Sequence, residues 1–204
     1  MSTTIESTSL DHTISQRADH LFHENRIDLY QRTDRLFAGL MIVQWLACIC
    51  TAVWLSPRTW IGAYSETHLH VWAAVFPGGL IALFPVYLAW KRPGSTLTRQ
   101  VIAVSQMLMS SLLIHLSGGR LEMHFHIFGS LAFLAFYRDW RVLASATTVV
   151  VIDHTVFGFY DPQVIFGVLT SSPWRAVEHS AWVLFEDIFL MIAINQSLKE
   201  MKAM

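Results

Sequence analysis

Residues 142–160 read VLASATTVVVIDHTVFGFY, an apolar run that carries Asp153 and His154 inside it. A helix needs about 17–25 predominantly apolar residues to cross the hydrocarbon of a bilayer. This stretch has that length. Ionisable residues within such a segment are expensive and mark function by default. Five further runs have the same character: 36–55, 69–90, 101–117, 121–137 and 177–194. Between the six lie turn residues: Ser56-Pro57, Arg92-Pro93-Gly94-Ser95, Ser117-Gly118-Gly119-Arg120, Tyr137-Arg138-Asp139-Trp140, and Asp161-Pro162 with Ser172-Pro173. No internal repeat or low-complexity segment stands out.

The composition agrees. Of 204 residues, 53% are hydrophobic and 14% charged, against about 25% charged in soluble domains. A disordered chain is excluded, and a soluble enzyme domain is not expected. The formal net charge is −1. No Lys/Arg cluster is dense enough to track a phosphate backbone, so no nucleic-acid partner is expected. The expected fold class is all-α: a polytopic six-transmembrane-helix bundle whose first partner is the lipid bilayer.

Orientation follows from the basic residues. The amino tail (Arg17, Arg26, Arg32, Arg35), the second loop (Lys91, Arg92, Arg99), the fourth (Arg138, Arg141) and the carboxyl tail (Lys199, Lys202) hold eleven of the fourteen. Only Arg58, Arg120 and Arg175 fall on the other side. The positive-inside rule places both termini in the cytoplasm, in a bacterial inner membrane. Residues 1–34 are expected to form a cytoplasmic amphipathic segment, with Leu21, Phe22, Ile27, Leu29 and Tyr30 among Arg and Asp. Residues 35–196 form the membrane domain, and 197–204 begin a signalling helix. The first 30 residues lack an apolar h-region, so no cleaved leader is expected. Cys48 and Cys50, about 200° apart on a helix, read as small packing residues.

There are ten histidines. His12, His20 and His23 are expected to be solvated. The other seven, His68, His70, His115, His124, His126, His154 and His179, all fall toward the outer, periplasmic ends of their helices. His154 lies about 21 Å up from Trp140 at 1.5 Å per residue, level with the rest. Glu122, Asp153 and Glu178 accompany them, and Glu186 sits two turns beyond His179 on almost the same face. The bland alternatives are an interfacial placement for His68 and His70, a bond from His126 to Glu122, solvent for Asp153 and Glu178, and a protonated Glu186 bonded to a neighbouring helix. The rest could form a structural network.

The functional reading is a site for a transition-metal ion (Zn, Cu or Fe). Imidazole suits these metals, and carboxylates orient the histidines. The expected ligands are His115, His124, His154 and His179. Glu122, Glu186, His126, Asp153, His68 and His70 are further ligands or supports. Haem b is the alternative cofactor, with two axial histidines, walls from Phe125, Phe128, Phe157 and Trp182, and Arg120 or Arg175 at the propionates. Other classes stay open: a membrane oxidoreductase with a dinuclear centre, a proton or metal transporter, and a metal-free pH or quinone sensor.

The segment IHLSGGRLEMHFHIFGSLAFLAFYRDWRVL, followed by VIDHTVFGF and VEHSAWVLFEDIFL, resembles the six-span membrane sensor region at the amino end of many bacterial hybrid sensor histidine kinases. Similar, shorter regions stand in some methyl-accepting chemotaxis proteins and diguanylate cyclases. The resemblance covers most of residues 30–200 and is strongest over 112–190. Its pattern falls on His115, Glu122, His124, Asp139, Trp140, His154, His179 and Glu186. This chain departs from the shorter relatives at Asp153, where they often carry a second histidine, and at His126, where they often have none. The resemblance implies a sensory input domain and no enzyme activity in this chain. The ending NQSLKEMKAM reads as the last helix continuing toward a cytoplasmic kinase module, within a homodimer.

Overall fold

The structure, a computed structural model, describes residues 2–170 and 172–203, with side chains from Gln16 onward. The expectation for His12 therefore lies outside the described side chains; His20 and His23 are exposed. The order is α1 (Ser2–Leu55), β1 (Arg58–Ile61), β2 (Tyr64–Thr67), α2 (Leu69–Lys91), α3 (Thr96–Leu116), α4 (Leu121–Leu134), α5 (Trp140–Tyr160), α6 (Pro162–Phe166) and α7 (Pro173–Ala203). A 3-10 turn, Ala135–Tyr137, joins α4 to α5.

The all-α expectation holds, with one addition. β1 and β2 pair antiparallel, Arg58 opposite Thr67 and Ile61 opposite Tyr64. Gly62 makes the turn at φ 63°, a conformation that suits glycine. Among the described residues, four helices are long and apolar enough to cross a membrane: α1 from Gln16, α2, α3 and α5. The other two expected spans differ. Helix α4 has 14 residues, because the chain tightens into the 3-10 turn before reaching full span length. Helix α7 has 31, but Glu178, Glu186 and Asp187 interrupt its apolar run.

Helix α1 runs unbroken through residues 34 and 35. The chain has no proline before Pro57 and only Gly39 among its glycines up to that point, so nothing ends the helix where the polar tail meets the apolar run. Helix α2, by contrast, contains Pro77 and Pro85. A proline removes one backbone N–H and disturbs the carbonyl a turn earlier. Trp45 of α1 lies against this region, and its indole N–H donates to the Ala74 carbonyl at 3.0 Å. Gly78 and Gly79 admit the Trp45 ring, since a Cβ on Gly79 would stand 3.0 Å from it. Cys48 is buried and Cys50 exposed, as packing residues on opposite helix faces should be.

One end of the bundle is fastened by buried charge. Asp34 of α1, fully buried, accepts from the Gly94 N–H at 2.6 Å and the Tyr137 hydroxyl at 2.7 Å. Arg99 of α3 donates from Nε to Asp139 at 2.9 Å, and its guanidinium stands 4.3 Å above the Tyr30 ring. Asp139 also caps α5 by accepting from the Arg141 N–H. Arg138, left-handed at φ 51°, turns the chain between the two. The carboxyl-terminal part of α7 reaches the same end, where Lys202 approaches the Phe22 ring.

Candidate functional site

At the opposite end, α4, α5 and α7 each supply one imidazole to a common cavity. His124 is in the first turn of α4, His154 lies six residues before the end of α5, and His179 is in the second turn of α7. The His124 and His154 ring centres are 5.9 Å apart, and those of His154 and His179 6.2 Å. The cavity between them measures about 330 Å³ and is otherwise lined mainly by Phe125, Phe128, Phe166, Trp182 and aliphatic side chains.

Helix α6 closes one side. Pro162 opens it and Gly167, at φ 66°, ends it. Its Ile165 and Phe166 face the histidines, with Phe166 4.9 Å from the His179 ring centre. Two glycines make room for α6. A Cβ on Gly119 would stand 2.3 Å from the Val164 carbonyl oxygen, and one on Gly158 would stand 2.4 Å from the Phe166 ring.

Hydrogen bonding determines which ring nitrogens are available. A backbone carbonyl can only accept, so a ring nitrogen bonded to one carries the proton. His124 Nδ1 donates to the Arg120 carbonyl at 3.2 Å, His179 Nδ1 to Arg175 at 3.1 Å, and His115 Nδ1 to Ser111 at 2.9 Å. Each neutral ring then keeps its Nε2 lone pair free. His124 Nε2 and His115 Nε2 are buried and unbonded. The Ile165 carbonyl lies close to the His124 ring, outside hydrogen-bond geometry. His154, only 4% exposed, has Nδ1 at 3.2 Å from Asp153 Oδ2. The Ser111 hydroxyl holds the other Asp153 oxygen at 2.5 Å. A backbone carbonyl thus orients one nitrogen of His124, His179 and His115, as metal-binding histidines are prepared, whereas the Asp153–His154 approach falls outside hydrogen-bond geometry.

The four expected ligands do not meet at one point. His115 of α3 packs edge-on against Phe157, ring centres 4.5 Å apart, and lies within electrostatic reach of His70. Phe157 is therefore a partner of His115 rather than a wall of the cavity, whereas Phe125, Phe128 and Trp182 do line it. His68 accepts the His70 backbone N–H on Nδ1. His126 turns away, 200° round α4 from His124. It receives the Gln44 amide on Nε2 at 3.0 Å and bonds Ser110 from Nδ1 at 2.8 Å. Both its nitrogens are used, and its partners are on α1 and α3 rather than at Glu122. Glu122 and Glu178 are exposed, the latter accepting from Trp174.

Among the described residues, no group of three or more His, Cys, Asp or Glu side chains is placed to hold a metal ion. Metal–nitrogen bonds of about 2.0–2.1 Å would bring ring centres to roughly 5 Å, so the His124–His154 and His154–His179 pairs each stand about 1 Å too far apart.

Asp187 was not among the candidate residues. It is 7% exposed and accepts the Thr147 hydroxyl of α5, while its Oδ1 is buried and unbonded. Glu186, the expected deep carboxylate, is half-buried with Oε2 unbonded. A usable signal existed. Asp187 shares the buried stripe of α7 with Val183, Ile194 and Met201, at spacings of four and seven.

Together, these features define an all-α, membrane-type bundle with an imidazole-lined cavity at one end and a long last helix reaching the other. Over 141 residues the chain is 28% identical to transducer protein Htr8 of Halobacterium salinarum, a match covering 61% of this chain. The chain covers 21% of that transducer's length. No protein-family profile matches the chain, and no solved structure does.

Proposed function

We propose that this chain is the membrane-embedded sensory input domain of a signal-transduction protein of the histidine-kinase type, with His124, His154 and His179 holding a transition-metal ion. The observation that carries this reading is the trio itself: three imidazoles from three helices on one cavity, two with Nδ1 bonded to a backbone carbonyl and the third beside a carboxylate. The unbonded, buried His124 Nε2 fits such an ion, since a buried donor or acceptor without a partner costs about 1–3 kcal/mol. The ion would supply a coordination position open to a small ligand. The likeness to a transducer supports the signalling role.

The residues also indicate how occupancy would be transmitted. The His124–His154 and His154–His179 pairs are each about 1 Å too wide for shared coordination, so a bound ion would favour an arrangement with α4 and α7 drawn toward α5. A ligand shifts a conformational equilibrium only through unequal affinity for its two states, and this geometry supplies the inequality. At the other end, α1, α3 and the start of α5 are tied by Asp34, Arg99 and Asp139. Helix α7 is the element left to move against them. In this reading α4, extended by its 3-10 turn, and α7 complete six spans. Both termini are cytoplasmic in a bacterial inner membrane, the cavity lies toward the periplasm, and α7 passes the signal to a kinase module within a homodimer.

The test is elemental analysis of the purified, detergent-solubilised chain made without a polyhistidine tag. Near-stoichiometric metal is expected, falling below a tenth in His124→Ala, His154→Ala and His179→Ala and unchanged in His126→Ala. Full retention in the three variants would refute the site. A Soret band in the absorption spectrum would identify the metal as haem iron rather than a bare ion.

A further inference from the structure

A groove lies between α1 and α7 toward the end of the bundle opposite the histidines. Leu29 of α1 stands on one side of it, Leu190, Ala193 and Ile194 of α7 on the other, and Ala132 and Ala135 form its floor. It measures about 490 Å³, many times the share of about 30 Å³ that one water occupies. Its lining is mostly apolar, so it offers water few partners. Hydrocarbon suits such a space better than water does.

Arg138 lines the same groove, at the end that Asp34, Arg99 and Asp139 fasten. A guanidinium carries five N–H donors. Among the described residues, the Arg138 side chain bonds one atom, the Met201 sulfur at 3.5 Å, which is a weak acceptor. No described carboxylate lies within ion-pair distance of it. The adjacent Asp139 is taken by Arg99 and by the Arg141 N–H. Exposed Arg35, Arg141 and Lys199 add positive charge at this end of the bundle.

The backbone shows that the turn does not account for this arginine. Arg138 has φ 51°, alone among the described non-glycine residues in having a positive φ. Glycine would make the same turn at no steric cost, and strain of this kind gathers at ligand clamps. An apolar groove ending in a cation without a counter-ion matches a molecule with hydrocarbon chains and an anionic head. The planar fork of arginine fits phosphate oxygens in particular.

We propose that the groove between α1 and α7 binds an anionic phospholipid, its acyl chains against Ala132, Ala135 and Ala193 and its phosphate paired with Arg138. The site is separate from the histidine cavity and does not depend on what that cavity holds.

The experiment is native mass spectrometry of the full chain in detergent, titrated with phosphatidylglycerol and, separately, with phosphatidylcholine of the same acyl chains. The wild type is expected to take up phosphatidylglycerol in preference. Its affinity should fall about tenfold in Arg138→Gly, the loss of one hydrogen bond to a charged group. Ala193→Phe, which fills the groove, should weaken both lipids. Glycine relieves the left-handed backbone at 138, and Ala193 is exposed, so both variants are expected to fold, which circular dichroism checks. Equal affinity of the wild type and Arg138→Gly for phosphatidylglycerol would overturn the pairing with phosphate. Equal uptake of the two lipids by the wild type would overturn the anionic preference. Displacement of the lipid by excess glycerol phosphate would show that the head alone is bound and overturn the lipid site. A wholly dimeric chain that takes up no lipid would place a second copy on this face and overturn it as well.

Discussion

Arg99→Met lowers the stability of the bundle by roughly 3–5 kcal/mol, the cost of leaving one member of a buried ion pair unpaired. Both side chains are about nine-tenths buried, and Arg99 Nε–H donates to Asp139 at 2.9 Å. Methionine keeps much of the aliphatic volume, so the loss is electrostatic, together with the contact over Tyr30. The diagnostic variant is the double change Arg99→Met with Asp139→Asn. Asparagine removes the stranded charge yet keeps an oxygen to cap α5 at the Arg141 N–H, a contact worth about 1 kcal/mol. The double variant is expected to recover most of the loss. Thermal unfolding in detergent measures both. A single variant as stable as the wild type would show that the pair does not hold this end together.

Gly119→Ala is expected to cost about 2–6 kcal/mol, the sum of a left-handed backbone at a non-glycine residue and an overpacked contact, each about 1–3 kcal/mol. Gly119 has φ 78°, and its Cβ would meet the Val164 carbonyl oxygen at 2.3 Å and the Val164 Cα at 2.7 Å. Those are backbone atoms, which cannot swing aside, so α6 must lift. Ile165 and Phe166 would lift with it, and the cavity would open without any histidine being touched. Metal retention should therefore fall along with stability. Gly118→Ala is the control. It has φ 69° and open space around its Cβ, so it carries the backbone strain alone. Equal losses in the two variants would show that α6 does not depend on this contact.

Helix depth was legible in the sequence, and azimuth was not. Counting 1.5 Å per residue placed seven histidines at one end, and the structure does bring His124, His154 and His179 together there. Which way each ring turns is decided by packing. His124 and His126 share a level on α4 but face different neighbours, and only the positions of Gln44, Ser110 and Ser130 on other elements explain His126. His115 has the right depth, yet its face of α3 meets Phe157 and His70 rather than the cavity. The pairing of Asp34 with Tyr137 spans 103 positions, and no local pattern announces it. Asp187 was hidden for a different reason: the visible signal is the seven-residue spacing of His179 and Glu186, while the buried stripe of α7 runs through the next residue. The six apolar runs were legible as helices. That two of them fall short of spanning composition follows from details at their ends and from three carboxylates.

The bond between Asp187 and Thr147 gives α7 a fulcrum. His179 lies eight residues to one side of it and Met201 fourteen to the other, about 12 Å and 21 Å of helix at 1.5 Å per residue. The two arms are unequal, in a ratio of about 1.75. Under the proposed closure, a helix pivoting there would convert about 1 Å at the cavity into nearly twice that displacement, in the opposite sense, at the far end. If the proposed signalling by α7 holds, the position of this one buried carboxyl would set its gain, and moving it by a single turn would change that gain without altering either end.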